Sequence, residues 1–218
     1  MERLARTEGL TDIQRDILAT VREFVEKEII PVATELEHKD EYPAQIVEGM
    51  KELGLFGLTI PEEYGGLGES LLTYALVVEQ IARGWMSVSG IVNTHFIVTY
   101  MIGQHGTEEQ KNYFLPRMAA GDVRGAFSMS EPGMGSDVSA IRTRAERDGD
   151  DYVINGQKMW LTNGGTSNLV AVLCRTDEGK DAPHRNMTTF LIEKEPGFGA
   201  NPSVPGLTVP GKIEKMVY

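Results

Sequence analysis

Cysteine is almost missing from this chain: among 218 residues only Cys174 carries a thiol. A single thiol excludes an intramolecular disulfide framework and fits a reducing compartment. Basic runs are missing as well, and a net charge of −11 leaves no positive face of the kind that grips a nucleic-acid backbone. The four histidines, His38, His95, His105 and His184, have no metal-ligand spacing among themselves or with Cys174, so no metal site is expected. No Gly-x-Ser-x-Gly elbow marks a hydrolase. The N-terminal Met1-Glu-Arg-Leu-Ala-Arg6 lacks the apolar core of a secretory signal. One apolar stretch, residues 85–102, has the length of a membrane span, but Asn93, Thr94 and His95 at its centre are costly in lipid and predict a buried helix instead. Internal repeats and low-complexity tracts are absent.

What remains is an ordinary globular composition, 41% hydrophobic and 24% charged, in a chain long enough to bury a real core. Its first part has helical period. Thr11 with Gln14 forms a capping box, and Ile13, Ile17, Val21, Phe24 and Val25 recur at helical spacing until Pro31, where the helix should stop. A second helix is predicted from Pro43 to Gly54, a loop over Pro61 to Gly68, and two apolar helices from about Ser70 to Arg83 and from about Met86 to Gln104. Thr107 and Gln110 repeat the capping box, and Gly121 closes the last helix. At Asp122 the period becomes that of strands. Asp151–Ile154, the turn Asn155-Gly156 and Gln157–Thr162 predict a β-hairpin, and Leu169–Arg175, Met187–Glu193 and Leu207–Val209 predict further strands. The fold class is therefore α+β: a helical domain over 1–122, then an antiparallel, barrel-like β-domain over 123–218.

The chemistry sits in that second part. Phe127-Ser-Met-Ser-Glu-Pro-Gly-Met-Gly-Ser-Asp137 reads as a strand running into a Gly/Ser loop whose small residues let backbone N–H groups approach a phosphate. Its spacing is neither a dinucleotide Rossmann fingerprint nor a Walker loop. Lys158-Met-Trp-Leu-Thr-Asn163 reads as a strand with Trp160 and Thr162 on one face. A phosphate-cradling loop beside an aromatic plate and a hydroxyl suits a flavin dinucleotide.

The two segments resemble the acyl-CoA dehydrogenase family, which carries a Thr/Ser-Glu-Pro-x-x-Gly-Ser-Asp loop and an Asn-Gly-x-Lys-x-Trp-Ile-Thr-Asn segment. Here these are Ser130 to Asp137 and Asn155 to Asn163. Leu53 to Gly57, Pro61 to Gly68 and Gly106 to Pro116 are similar to the family's N-terminal domain, so the likeness covers nearly the whole chain. It implies FAD held by Phe127, Met129, Ser130, Gly135, Ser136, Trp160, Leu161 and Thr162, with Thr162 donating to the reactive ring nitrogen. Ser136 would also face the CoA arm of the substrate, and His95 is a candidate substrate contact against the plainer reading of a satisfied buried histidine. Phe127 stands where the family often has Tyr, and Met134 where it often has a small residue.

The resemblance further implies α,β-dehydrogenation of an acyl-CoA thioester to a trans-2-enoyl-CoA, electrons passing to an electron-transfer flavoprotein, a homotetramer and a cytoplasmic setting. The family's catalytic base is a glutamate of a C-terminal helical domain, expected beyond Tyr218. No catalytic residue is therefore assigned in this chain, which by itself is expected to be inactive. Glu79 reads as a solvated helix-face residue and Glu131 as a brace for its own loop. Two alternatives stand beside the dehydrogenase: a flavin oxidase or monooxygenase on the same scaffold, and a non-catalytic partner subunit or fragment.

Overall fold

The computed structural model describes residues 9–176 and 186–194. The expected strand at Leu207–Val209 and the residue His184 lie outside them. The chain forms two compact units that meet in sequence between Asp122 and Val123.

The first unit is helical. Helix α1 (Asp12–Phe24) starts at the predicted box: Gln14 N–H donates to Thr11 Oγ1 at 3.2 Å, and Thr11 N–H donates to Gln14 Oε1 at 3.0 Å. Pro31 does not stop this helix. A π-helical turn, Val25–Ile29, leads directly into α2 (Ile30–His38). Within that turn the Ile30 N–H donates to the Val25 carbonyl, five residues back. The extra residue per turn loosens the ladder one turn before the proline, where the ring would otherwise strike a carbonyl. Val25 and Ile29 are both fully buried. They press on the C-terminus of α4 so closely that a Cβ on Gly84 would lie 2.8 Å from Val25 Cγ1.

Helices α3 (Ala44–Glu52), α4 (Leu71–Gly84), α5 (Met86–His105) and α6 (Glu108–Ala119) follow near the predicted bounds. Gly54, in the left-handed region at φ 69°, separates α3 from a short 3₁₀ turn over Leu55–Gly57. The second capping box, Thr107 with Gln110, is also formed. The core of the unit joins Val21, Met50, Phe56, Leu76, Ile81 and Val88. Each such aliphatic side chain contributes about 1.5–3 kcal/mol when fully buried. Helix α5 is apolar on most of its circumference and buries nine residues, as a helix wrapped by neighbours should. Among the described residues no helix is long and apolar enough to cross a membrane.

Among the described residues the second unit holds five strands: β1 (Gly125–Ser128), β2 (Arg144–Asp148), β3 (Asp151–Asn155), β4 (Leu169–Thr176) and β5 (Met187–Glu193). Their order is β1-β4-β2-β3, with β5 also on β4. The sheet is mixed rather than wholly antiparallel. β2·β3 and β4·β5 are antiparallel, whereas β1 and β2 both run parallel to β4, β1 against Leu169–Val172 and β2 against Arg175–Thr176. β4 is thus the spine, which accounts for its near-continuous apolar sequence.

The hairpin differs from the expected one. β3 pairs back onto β2 through Gly149-Asp150, with Asp148 opposite Asp151, so Asn155-Gly156 is not its turn. Gly156 serves a close approach instead: a Cβ there would sit 2.6 Å from Thr143 Cα. Residues 157–161 belong to no strand, and 162–166 form turns.

Candidate functional site

β1 leads out of the sheet into Met129 and Ser130. The next four residues close on themselves: Glu131 N–H donates to the Met134 carbonyl at 2.8 Å, and Met134 N–H donates to the Glu131 carbonyl at 3.0 Å. This places Pro132 and Gly133 at an exposed tip. Gly135, Ser136 and Asp137 follow, all exposed. A single 3₁₀ turn over Val138–Ala140 comes next.

The second motif lies alongside the first. Met159 N–H donates to the Ser130 carbonyl at 2.9 Å, and Asn163 Nδ2 donates to the Gly125 carbonyl at 3.1 Å. Residues 159–163 therefore run past β1 in the opposite direction and are tied to it near both ends. Between the ties the backbone is not a strand. Trp160 has φ 62° and Asn163 φ 64°, so the expected shared face of Trp160 and Thr162 does not arise from strand alternation. A left-handed conformation costs a non-glycine residue about 1–2 kcal/mol. It persists only where neighbouring contacts fix it.

Those contacts include a buried ion pair. Lys158 Nζ lies 3.1 Å from Glu131 Oε1 and donates to the Met129 carbonyl at 2.9 Å, with the two side chains 8% and 5% exposed. Glu131 accepts two further bonds, from Thr143 N–H at 2.8 Å and Arg142 N–H at 2.7 Å. Burial by itself would raise the Glu131 carboxyl. Donors from Thr143, Arg142 and Lys158 outweigh it and hold the group at about 2.

Sequence reasoning passed over Lys158 and Asn163, although both stand inside the quoted motif. The signal was present: a cation in one motif and an anion, Glu131, in the other.

The remaining candidates fall as follows. Phe127, Met129, Ser130 and Leu161 are half-buried along this seam, and Thr162 is exposed. His95 is buried in the helical unit, edge-to-face with Phe56 at 5.1 Å between ring centres. An open pocket of about 270 Å³ in that unit is lined by Phe96, Thr99 and Tyr100 among others, and not by His95. Glu79 is half-buried rather than solvated, with Oε2 shielded from water and without a hydrogen-bond partner among the described residues. Cys174 is fully buried on β4, and burial pushes its thiol up to about 11, which makes it a poor nucleophile.

Two features fit a bound planar group with a phosphate tail and are not explained by the chain's own packing. Trp160 is 65% exposed although its backbone is fixed at a conformational cost. Cβ atoms built on Gly133 and Gly135 would meet nothing within 4 Å, and neither residue has a positive φ. Their small size thus serves neither a turn nor an internal contact, and it leaves backbone N–H groups open to an approaching anion.

Residues 11–122 match the acyl-CoA dehydrogenase N-terminal domain and residues 126–216 the acyl-CoA dehydrogenase middle domain. The chain belongs to the acyl-CoA dehydrogenase family. It is 37% identical to (2S)-methylsuccinyl-CoA dehydrogenase of Cereibacter sphaeroides over 96% of this chain and 38% of that protein. Among solved structures it resembles one described as the electron transferring flavoprotein of Acidaminococcus fermentans, with a TM-score of 0.81, 33% identity, and 87% and 50% of the two chains covered. A glutaryl-CoA dehydrogenase of Mycobacterium smegmatis in complex with FADH2 gives a TM-score of 0.77 at 36% identity, covering 88% and 48% of the two chains. The acyl-CoA dehydrogenase family member described here spans 38% to 52% of the length of four such relatives.

Proposed function

We propose that this chain is the FAD- and substrate-loop portion of an acyl-CoA dehydrogenase that converts an acyl-CoA thioester to a trans-2-enoyl-CoA. The observation that carries the reading is the exposed Trp160 ring, fixed in a left-handed conformation beside the Ser130–Asp137 loop. When bound, FAD supplies the acceptor for a hydride leaving the thioester's β-carbon. The chain's own residues bind and orient. Phe127 on β1 and Met129 and Ser130 just past it border the ring, Trp160 and Leu161 cover it from the facing segment, and Gly135 with Ser136 takes the diphosphate. The Thr162 hydroxyl is the donor that steadies charge arriving at the ring. Ser136 also faces the CoA arm.

No carboxylate among the described residues is assigned as the base that removes the α-proton. Glu131 is taken up by Lys158 and two amides, and its protonation lies too low for proton abstraction near neutral pH. The base belongs to the part of the relatives that this chain does not span, and with that part the enzyme is a cytoplasmic homotetramer. Electrons pass from it to an electron-transfer flavoprotein, a reading supported by the family and by the likeness to the Acidaminococcus structure. The test is anaerobic titration of the flavin-loaded full-length enzyme with a series of acyl-CoAs, paired with an oxygen-uptake assay during aerobic turnover. Bleaching of the flavin absorbance without oxygen consumption on turnover is expected. Oxygen consumption would indicate an oxidase on the same scaffold, and no bleaching with any thioester would refute the dehydrogenase reading.

A further inference from the structure

We infer that Lys158, with Glu131 as its counter-ion, is the positioning residue that sets the Trp160 ring against the flavin seat; the inference rests on the flavin reading above. Lys158 Nζ joins three segments at one point. It donates to the Met129 carbonyl just past β1, reaches the Glu131 carboxylate in the loop, and belongs to the segment that carries Trp160 two residues on. The carboxylate in turn accepts the Arg142 and Thr143 amides, which lead into β2. The same carboxylate and ammonium thus register the loop, the exit of β1 and the entry to β2 against the Trp160 segment.

Stability alone does not explain such a pair. Desolvating two charges is costly, and apolar side chains of similar volume serve as well or better in a buried slot. What the pair adds is direction. Charge-assisted bonds fix distance and angle where apolar packing tolerates sliding. The residue that needs this is close at hand: Trp160, at φ 62° and 65% exposed, has little packing of its own to hold it. Asn163 secures the far end of the segment through Gly125, and Lys158 with Met159 secures the near end. Trp160 is therefore over-determined from both sides, as a strained site residue must be.

The test uses Lys158→Met in the full chain, with the double variant Lys158→Met/Glu131→Gln as a second background that leaves no lone buried carboxylate. The first readout is amide hydrogen exchange in the absence of FAD. Protection of the Met159 amide, which donates to the Ser130 carbonyl, is expected to fall by roughly tenfold or more, while the β4 amides at 169–172 keep theirs. The second readout is the FAD dissociation constant, expected to rise about tenfold. In Lys158→Ala, added methylammonium is expected to restore part of that affinity. Unchanged Met159 protection and unchanged FAD affinity in both variants would overturn the inference. So would an equal loss of protection across the whole sheet, which is what a merely structural pair would give. Failure of the parent chain to take up FAD would contradict the flavin reading alone, and the local exchange readout still decides the inference.

Discussion

At the scale of single residues, Glu131 and Trp160 carry opposite bargains with their surroundings. Glu131 is buried and ionised because its oxygens are filled by donors, and its carboxyl lies at about 2 against an ordinary 4.5. A carboxyl lowered on folding contributes stability above its unfolded value and loses it as pH falls towards the folded one. The Glu131 contribution is therefore complete at neutral pH and disappears between about 4.5 and 2. Acid titration followed by circular dichroism should show Glu131→Gln less stable than the parent at pH 7, with the gap closing across that window. Trp160 shows the reverse. Its ring is mostly in water and its backbone is strained, so Trp160→Gly relieves the left-handed conformation and adds chain entropy to the unfolded state. The two effects offset to within about 1 kcal/mol, so thermal melts should barely move. FAD binding measured on the same variant should be lost.

At the scale of elements, what was legible in the sequence was what is decided locally. Both capping boxes are complete within four residues, and both were readable and are formed. Removing one should cost the usual amount: Thr11→Ala is expected to destabilise by about 1 kcal/mol in denaturant unfolding. Pro31 and Gly156 were misread because their effects are settled at a distance. Pro31 is a helix breaker by its own chemistry, yet the Val25–Ile29 turn, anchored by buried Val25 and Ile29, absorbs the offence by becoming π-helical. Asn155-Gly156 is a hairpin dipeptide by propensity, but Gly149, at φ 63°, supplies the turn. Gly156 is needed small because Thr143 lies against it. Gly156→Ala should thus destabilise the β unit by about 1–3 kcal/mol through overpacking, measurable by urea unfolding. A Gly156 with open space at its Cβ position would escape this overpacking cost.

At the scale of the whole molecule, the sequence carried both motifs but not the way they meet. Lys158 and Glu131, 27 positions apart, join the two motifs through a charge pair, and no local pattern announces that. The parity of Trp160 and Thr162 was likewise unreadable, since it depends on a left-handed residue held by contacts to β1. The family likeness implies both segments around one ligand, and the structure sets the two segments side by side through the Ser130–Met159 and Gly125–Asn163 ties. The direct test exploits the fact that the chain has two tryptophans, Trp85 and Trp160. Trp85→Phe leaves Trp160 as the sole indole emitter, and FAD is titrated into that protein. A flavin seat at Trp160 predicts saturable quenching of the indole emission, abolished by closing the diphosphate loop with Gly135→Val. Trp160 emission that stays constant while FAD binds to saturation would contradict it.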